Sequence, residues 1–394
     1  MARPSIGYSR SNFGNGIFGG TSVQLSDMLG DHQMLFSGFV NGRIDEAQVL
    51  GAYVNLSHRA NWAVGLSQDP YFFYNGSAYV AGPSDQELTY VTEVRRIVLR
   101  SAFATGYYPL SRFQRLEAGM HVVNVEDATL DYLQPFDRFT GLATDNPQTI
   151  KTVNSQTGFV QPSIAWVFDN SIAGYTGPFL GRRSRVEIAP TVGGWRYMQT
   201  TVDFRRYDHL FGPLSLATRA MYLGRTGRDA DRFSMYLGYP DLIRGWTAGS
   251  FDRNECLSLA VADPNSQTGC GSLDQLIGTS IGVFNAEIRF PILSQQYMHW
   301  LPQVFPPIEG ALFFDAGVAW NGSSSFKWNR PADASPIDVR TPLKSIGASI
   351  KINALGFMIL RFDFAKPLDR YIQNVDGTRT AVKPYWTISF GPAY

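Results

Sequence analysis

The stretch Phe357-Met-Ile-Leu-Arg-Phe-Asp-Phe-Ala365 decides the fold class of this chain. Its large apolar residues alternate with Arg361, Asp363 and Ala365. Alternation with a period of two indicates a β-strand with one apolar face and one polar face. The same period recurs at residues 284–290, 311–318 and 345–352. Helical periodicity is nearly absent, so the sequence predicts an all-β protein.

The composition narrows the function classes. Charged residues make up 17% of the 394 residues, which is below the roughly 25% of an ordinary soluble protein. The 34 Lys and Arg nearly balance the 33 Asp and Glu, for a net charge of +1. No basic excess points to nucleic acid, and the 14% of aromatic residues argues against a disordered chain. We expect no nucleic-acid partner.

Strands with one apolar face occur in soluble sandwiches and in membrane barrels, and strand number helps to separate the two. The alternation places sixteen strands in the chain, at about 25 residues per strand, as in single-chain bacterial barrels. Their centres lie near residues 7, 25, 37, 52, 65, 97, 118, 163, 188, 203, 218, 285, 313, 348, 361 and 389.

The predicted connections sort by length. Tight links follow even-numbered strands, at Gly30–Asp31, Arg59–Ala60, Phe211–Gly212 and Leu355–Gly356. Long links follow odd-numbered strands, at Tyr71–Glu87, Glu126–Gln156, Arg225–Ile277, Asn321–Thr341 and Asp369–Lys383. Short turns at one rim and long loops at the other are typical of outer-membrane barrels, whereas a sandwich has no reason to sort its loops. We predict one 16-stranded antiparallel transmembrane β-barrel over residues 1–394.

Nothing in the sequence predicts a membrane-spanning helix, which needs about 20 mostly apolar residues. The first residues, Met1 to Ile6, carry Arg3 but no apolar core behind it, so we expect no signal peptide. The chain is therefore expected to be a mature or excised barrel.

Two enzyme-like motifs occur in settings that do not suit their chemistry. Gly14–Gly19 fits GxGxxG, but that motif needs a strand before it and a helix after it, and here it joins two strands. Gly278–Gly282 fits GxSxG around Ser280, but the residues that follow have a period of two rather than a helix. The five histidines are scattered and show no ligand spacing. We expect no catalytic residue, no metal and no cofactor.

The longest predicted loop carries Ile243-Arg244-Gly245-Trp246, which is unusually apolar for an external loop. If Arg244 folds back into a lumen, it needs a fixed carboxylate for its two-pronged hydrogen bonds. Asp315 is the first candidate and Glu287 the second. In the alternative, Arg244 is an exposed loop charge and Asp315 pairs with a cation of the neighbouring strands: Arg289, Lys351 or Arg361.

Four motifs follow one another in the second half of the chain: Ile243-Arg244-Gly245-Trp246, Phe313-x-Asp315-x-Gly317, the hairpin over 345–368, and the last strand with Trp386, Ile388, Phe390 and Tyr394. Their order and spacing resemble those of the outer-membrane-protein-85 superfamily, the bacterial surface antigen barrels. The detailed likeness covers residues 230–394, and the first half matches in strand pattern.

The resemblance implies a sixteen-stranded barrel whose sixth external loop enters the lumen, where the aspartate holds its arginine. It implies insertion or export of unfolded outer-membrane or secreted client proteins across the bacterial outer membrane, with the last strand as an assembly signal. The work would be physical: a weak seam between the first and last strands opens and its edge templates an incoming strand. Family members carry POTRA repeats before the barrel, and we expect no such repeat in this chain, since only four residues precede Ser5.

Two other functions stay open at this point. The chain could be a passive pore, or a membrane anchor for an N-terminal domain outside it. The third possibility is a lipase in the barrel wall.

Cys256 and Cys270 lie in the same long loop, so we expect a disulfide between them in an oxidising space.

Overall fold

The computed structural model of the chain describes residues 5–11, 14–82, 84–174, 176–247, 250–251, 255, 270–294, 306–322, 324–329, 338–354, 358–373 and 378–390. The protein is all-β, with mostly antiparallel strands in one large sheet. Among these residues, no helix is both long enough and apolar enough to cross a membrane.

The strands and one short helix follow in chain order. They are β1 (Ser5–Ser11), β2 (Gly14–Ser26), β3 (His32–Asn55), β4 (Asn61–Ala81), β5 (Glu87–Pro109), β6 (Gln114–Asp137), β7 (Gln148–Asp169), β8 (Ile172–Ala173), β9 (Pro178–Gly193), β10 (Tyr197–His209), β11 (Ser215–Thr226), β12 (Met235–Tyr236), α1 (Gly271–Asp274), β13 (Ile277–Gly278), β14 (Ser280–Leu293), β15 (Ile308–Trp320), β16 (Ser325–Phe326), β17 (Val339–Arg340), β18 (Leu343–Ala354), β19 (Met358–Pro367), β20 (Tyr371–Gln373), β21 (Arg379–Ala381) and β22 (Tyr385–Phe390). The large sheet takes the long strands in sequence order from β1 to β22, and the short pairs β12–β13, β16–β17 and β20–β21 stand outside it.

The chain divides into two compact units, the first of which holds Met1–Pro109, Leu116–Ile164 and Ala189–Arg196. In this unit β3 covers both of the strands that are predicted near residues 37 and 52. Residues 33–42 pair with β2 and residues 49–55 pair with β4. The amide of Leu56 donates to the carbonyl of Asp31 at 2.7 Å, so the two ends of β3 lie side by side. The strand therefore doubles back between its two paired halves.

The two long loops predicted in the first unit are wrong in extent. The predicted loop Tyr71–Glu87 is mostly strand, because β4 stays paired with β5 as far as Ala81. The pairing has a register shift between Tyr74 and Gly76, which is typical of a β-bulge. In the same way, much of the predicted loop Glu126–Gln156 is strand, since β6 runs to residue 137 and β7 begins at residue 148.

The second unit holds Leu110–Arg115, Ala165–Ile188 and Tyr197–Tyr394. Within it β10, β11, β14, β15, β18, β19 and β22 each pair antiparallel with the next. These strands are therefore connected at one of their ends by the segments 227–279, 321–342 and 368–384. The turn 210–214 lies at the opposite end. The predicted loop positions match in this unit, and the predicted link Leu355–Gly356 lies outside the described residues.

Burial in the second unit is the reverse of burial in a soluble sheet. On β14 the polar Asn285, Glu287 and Arg289 are buried, whereas Phe284 and Ile288 are 45% and 43% exposed. Charged residues are almost never buried in a soluble protein unless they are paired. A sheet whose apolar face meets lipid and whose polar face is covered gives this pattern.

Candidate functional site

The long segment 227–279 packs onto the polar face of β14, β15 and β18. Its described part contributes a buried apolar cluster that explains why this loop is apolar: Met235, Leu237, Ile243, Trp246 and Leu276, packed on Ile281, Val283, Ala319 and Leu343. Burial raises the pKa of Tyr236 above its ordinary value, so its hydroxyl stays protonated and donates to the Trp246 carbonyl at 3.4 Å. The loop is a folded element rather than an extended connection.

A tight turn presents Arg244 to the sheet. The amides of Leu242 and Ile243 both donate to the Tyr239 carbonyl, at 2.9 and 3.0 Å. Gly245 follows with φ +83°, a left-handed conformation that favours glycine. A Cβ at position 245 would meet Ser345, Ala365 and Pro367, each at 3.4 Å. Glycine therefore lets the backbone of the loop lie directly against β18 and β19.

The Arg244 side chain is fully engaged by the sheet. Its Nε and Nη2 donate to the two carboxylate oxygens of Asp315, each at 2.7 Å. Its Nη1 donates to Glu287 Oε1 at 2.6 Å and to Ser349 Oγ at 3.3 Å, and its backbone N–H donates to Asp315 Oδ2 at 3.1 Å. The guanidinium lies 3.5 Å from the centre of the Phe313 ring. The residues Arg244, Glu287, Phe313, Asp315 and Ser349 are called the Arg244 cluster below.

The cluster continues into further ion pairs on the same face. Glu287 Oε2 accepts from Arg289 Nε and Lys351 Nζ, each at 2.8 Å. Arg361 Nε donates to Asp363 Oδ2 at 2.9 Å. The cations that could have paired with Asp315 thus take other carboxylates. Asp315 therefore pairs with Arg244, and Asn285 Nδ2 also donates to its Oδ1 at 2.9 Å.

The other predicted residues of the loop motif lie close by. Ile243 and Trp246 are buried in the apolar cluster, and the Trp246 indole donates to the Lys344 carbonyl at 3.3 Å. A Cβ at Gly317 would come within 3.0 Å of Leu237, so this glycine makes room for the loop. Asn285 and the ring stacking of Phe313 are not among the predicted site features. Asn285 alternates with Glu287, and that signal could have revealed it.

The remaining predicted sites lie apart from the cluster. Trp386 and Ile388 are 60% and 62% exposed on the apolar face of β22. The Phe390 side chain and Tyr394 lie outside the described residues. Cys270 is disulfide-bonded, and Cys256 also lies outside the described residues.

The two enzyme-like motifs fall within or beside strands. Gly14–Gly19 belongs to β2 and pairs with β1, where a hairpin loop is predicted, and no helix follows it. Ser280 is the first residue of β14, so the helix that a nucleophile elbow requires is replaced by a strand.

Comparison with solved structures bears on the fold. BamA from Haemophilus ducreyi lacking POTRA domains 1–3 is 16% identical, with a TM-score of 0.56, and the match covers 99% of this chain and 71% of that chain. CdiB from Acinetobacter baumannii is 11% identical, with a TM-score of 0.50, and the match covers 99% of this chain and 58% of that chain. At these identities the likeness is one of fold. No curated protein matches the chain.

The family is shown by a different comparison. The Omp85 superfamily domain matches residues 99–390, which is well over half of the chain and includes the Arg244 cluster and β22. With a sheet resembling the BamA barrel, an exposed apolar face and a match of this length, the chain belongs to the Omp85 superfamily of outer-membrane β-barrels.

Proposed function

We propose that this chain inserts or translocates other polypeptides at the bacterial outer membrane, as a single-domain barrel of sixteen strands. In this proposal β1 and β22 close the sheet, the long loop occupies the lumen, and the junction between the two strands opens to receive a client. The partners are the lipid bilayer and unfolded outer-membrane or secreted proteins.

The observation that carries the proposal is the Arg244 cluster. Arg244, Glu287 and Asp315 are 2%, 0% and 0% exposed, so the loop is held against the polar face by buried charges. A passive pore works through an open lumen. A segment fixed across the polar face by buried ion pairs would occupy that space, which favours work at the sheet edge over simple conduction.

The terminal strand supports an edge mechanism. Its described residues, Tyr385–Phe390, pair with β19. On its polar face, the buried hydroxyls of Thr387 and Ser389 have no hydrogen-bond partner in the described part of the chain. A strand with unsatisfied polar groups is weakly held, and an exposed strand edge can template a client strand.

The decisive experiment uses the full chain in liposomes, with an unfolded eight-stranded outer-membrane barrel as the client. The chain should speed the conversion of that client to its protease-resistant form, and an engineered disulfide between β1 and β22 should abolish the effect. A disulfide at the directly opposed Val202 and Tyr222 of β10 and β11 is the matched control and should leave the rate unchanged.

Ion conductance of the same liposomes separates the proposal from the passive pore. Adding client should change the conductance of the unmodified chain and have no effect once β1 and β22 are joined. If conductance is the same with and without client, and the chain does not speed client folding, the passive pore is favoured and the proposal is overturned.

A further inference from the structure

A second buried ion pair holds the long loop, away from the Arg244 cluster. Arg370 lies between β19 and β20, and it forms a two-pronged bond with Glu255 of the loop. Nε to Oε1 is 2.9 Å and Nη2 to Oε2 is 2.8 Å, and both side chains are 0% exposed. The remaining N–H groups donate to the Gly245 carbonyl at 3.1 Å and to Ser250, at 2.9 Å on Oγ and 3.0 Å on the carbonyl.

Two aromatic rings fix the same guanidinium. It lies 3.9 Å from the centre of the Phe251 ring and 5.6 Å from that of Trp246. All five N–H groups of Arg370 are thus used, and both rings come from the loop. Arg370 cannot leave the loop without breaking a fully buried, two-pronged ion pair.

Ser250 connects the buried ion pair of Arg370 and Glu255 to the terminal strand. Tyr385, the first residue of β22, donates its hydroxyl hydrogen to Ser250 Oγ at 2.8 Å. The same phenolic oxygen accepts from the Thr247 backbone N–H at 3.3 Å. Ser250 Oγ in turn donates to the Thr247 carbonyl at 2.6 Å. A continuous chain of contacts therefore runs from Glu255 through Arg370 and Ser250 to Tyr385.

Open space lies beside this chain of contacts. A cavity of about 610 Å³ is bounded by Thr247 and Ser250 on the loop side and by Tyr385, Trp386 and Thr387 on the strand side. The Tyr385 hydroxyl bridges the two sides at its margin. The loop and β22 are thus joined there by hydrogen bonds to one phenol oxygen, which can break without disturbing a packed apolar core.

We propose that Ser250, Arg370 and Tyr385 form a latch that couples the position of the long loop to that of the terminal strand. β22 cannot part from its neighbours while its phenol holds the loop, and a loop that shifts releases β22. The latch rests on the proposed function in one respect, namely that β22 is the strand that moves. It makes Tyr385 and Ser250 positioning residues for that motion.

Hydrogen exchange of the full chain in lipid nanodiscs, without client, tests the latch. Tyr385→Phe removes the bridging hydroxyl and keeps the ring. Exchange should accelerate about fivefold or more in both β22 and the loop residues 235–247, because losing the hydroxyl's bonds to Ser250 and Thr247 lowers the free energy of local opening. Tyr371→Phe is the matched control, since its hydroxyl donates to the Leu368 carbonyl instead of the loop. Faster exchange in β22 alone, or equal effects of the two variants, would overturn the latch.

Ser250→Ala provides an independent variant that keeps Arg370 and Glu255 paired. It should accelerate exchange in the same two regions as Tyr385→Phe. The double variant should fall short of the product of the two single effects, because both variants lose the bond between Tyr385 and Ser250. Multiplied rates in the double variant would show that the two residues act separately and would contradict the latch. Since no client is present, failure of the latch leaves the insertion proposal standing, and failure of client folding leaves the latch standing.

Discussion

Arg244 shows how one residue can define the position of a whole loop. Burying a guanidinium costs several kcal/mol, and the cost is offset only when the geometry of its partners is good. Four of its hydrogen bonds reach Asp315, Glu287 and Ser349 on three different strands. The cluster therefore contributes less to net stability than to a single, well-defined place for the loop.

Removing either partner of the central pair should be costly, because the other charge is left buried. We expect Arg244→Ala and Asp315→Ala each to lower the free energy of unfolding by about 3–5 kcal/mol. The double variant should be little worse than either single one, since the interaction is already lost. Urea unfolding from bilayers measures all three values.

The control for this cycle is Arg228→Ala in the same loop. Arg228 pairs with Asp229 but its side chain is 68% exposed, so we expect a loss under about 1 kcal/mol. Additive losses for Arg244 and Asp315, or a loss at Arg228 as large as theirs, would show that the buried pair has no special role.

Glycine is required at position 245 for two reasons, its left-handed backbone conformation and the lack of space for a side chain, and substitutions can separate the two. Gly245 and Gly30 have nearly the same φ, +83° and +80°, but only Gly245 is packed against other strands. Gly30→Val should cost about 1–3 kcal/mol through backbone strain. Gly245→Val should cost a further 1–3 kcal/mol or so, because its methyl groups overlap β18 and β19. Equal losses in thermal unfolding would mean that packing at Gly245 is unimportant.

At the scale of the strand, substitutions in β15 can show whether lipid or water covers the apolar face of the sheet. Leu312 lies in the middle of β15 and is 56% exposed. If lipid covers it, Leu312→Arg should cost about 2–4 kcal/mol in unfolding from bilayers. Leu210→Arg, in the turn after β10, should cost at most about 1 kcal/mol, because turns lie near the membrane surface. Equally small losses at both positions would contradict a lipid-facing sheet.

At the scale of the loop, we propose that the disulfide of Cys270 is formed with Cys256. Closing a loop of this length contributes roughly 3 kcal/mol in the chain-entropy model, here confined mainly to the loop. The unreduced protein should give no labelling with a thiol reagent, and the reduced protein should give two labelled cysteines. Free thiols before reduction would exclude the pairing.

The strands also show which features a local sequence pattern can predict and which it cannot. Alternation predicts β14, β15, β18 and β19 because each has one polar face and one apolar face. The sequence also predicts a long loop over Tyr71–Glu87, yet β4 continues through most of it. Pairing with β5 continues beyond a bulge, and that pairing is a long-range contact that local residue types do not encode.

At the scale of the whole molecule, the reversed burial pattern makes folding depend on lipid. Large apolar side chains are exposed along the long strands, so water is a poor solvent for the folded sheet. Chain diluted from urea should regain β-structure and protease resistance only when phospholipid vesicles are present. Circular dichroism and limited proteolysis, each with and without vesicles, check this. Full recovery in buffer alone would point to a soluble fold.

The candidate site was partly accessible from sequence. Arg244, Asp315 and Glu287 could be proposed because they sit in recognisable motifs or on the polar side of alternating strands. The anchor of the latch could not, because Glu255 and Arg370 both lie outside the alternating strands, where no period of two relates sequence to space. Their 115-residue separation is closed only by the folded loop, so three-dimensional structure is needed to bring them together.

The Arg244 cluster has a consequence for the order of folding. Its guanidinium meets partners 43, 71 and 105 residues further along the chain. Contacts of such large sequence separation form late, since the intervening chain must first be ordered. The loop can therefore reach its final place only after β14, β15 and β18 have assembled side by side. Its arrival therefore requires that these three strands are already paired, and the loop is one of the last parts of this sheet to be placed.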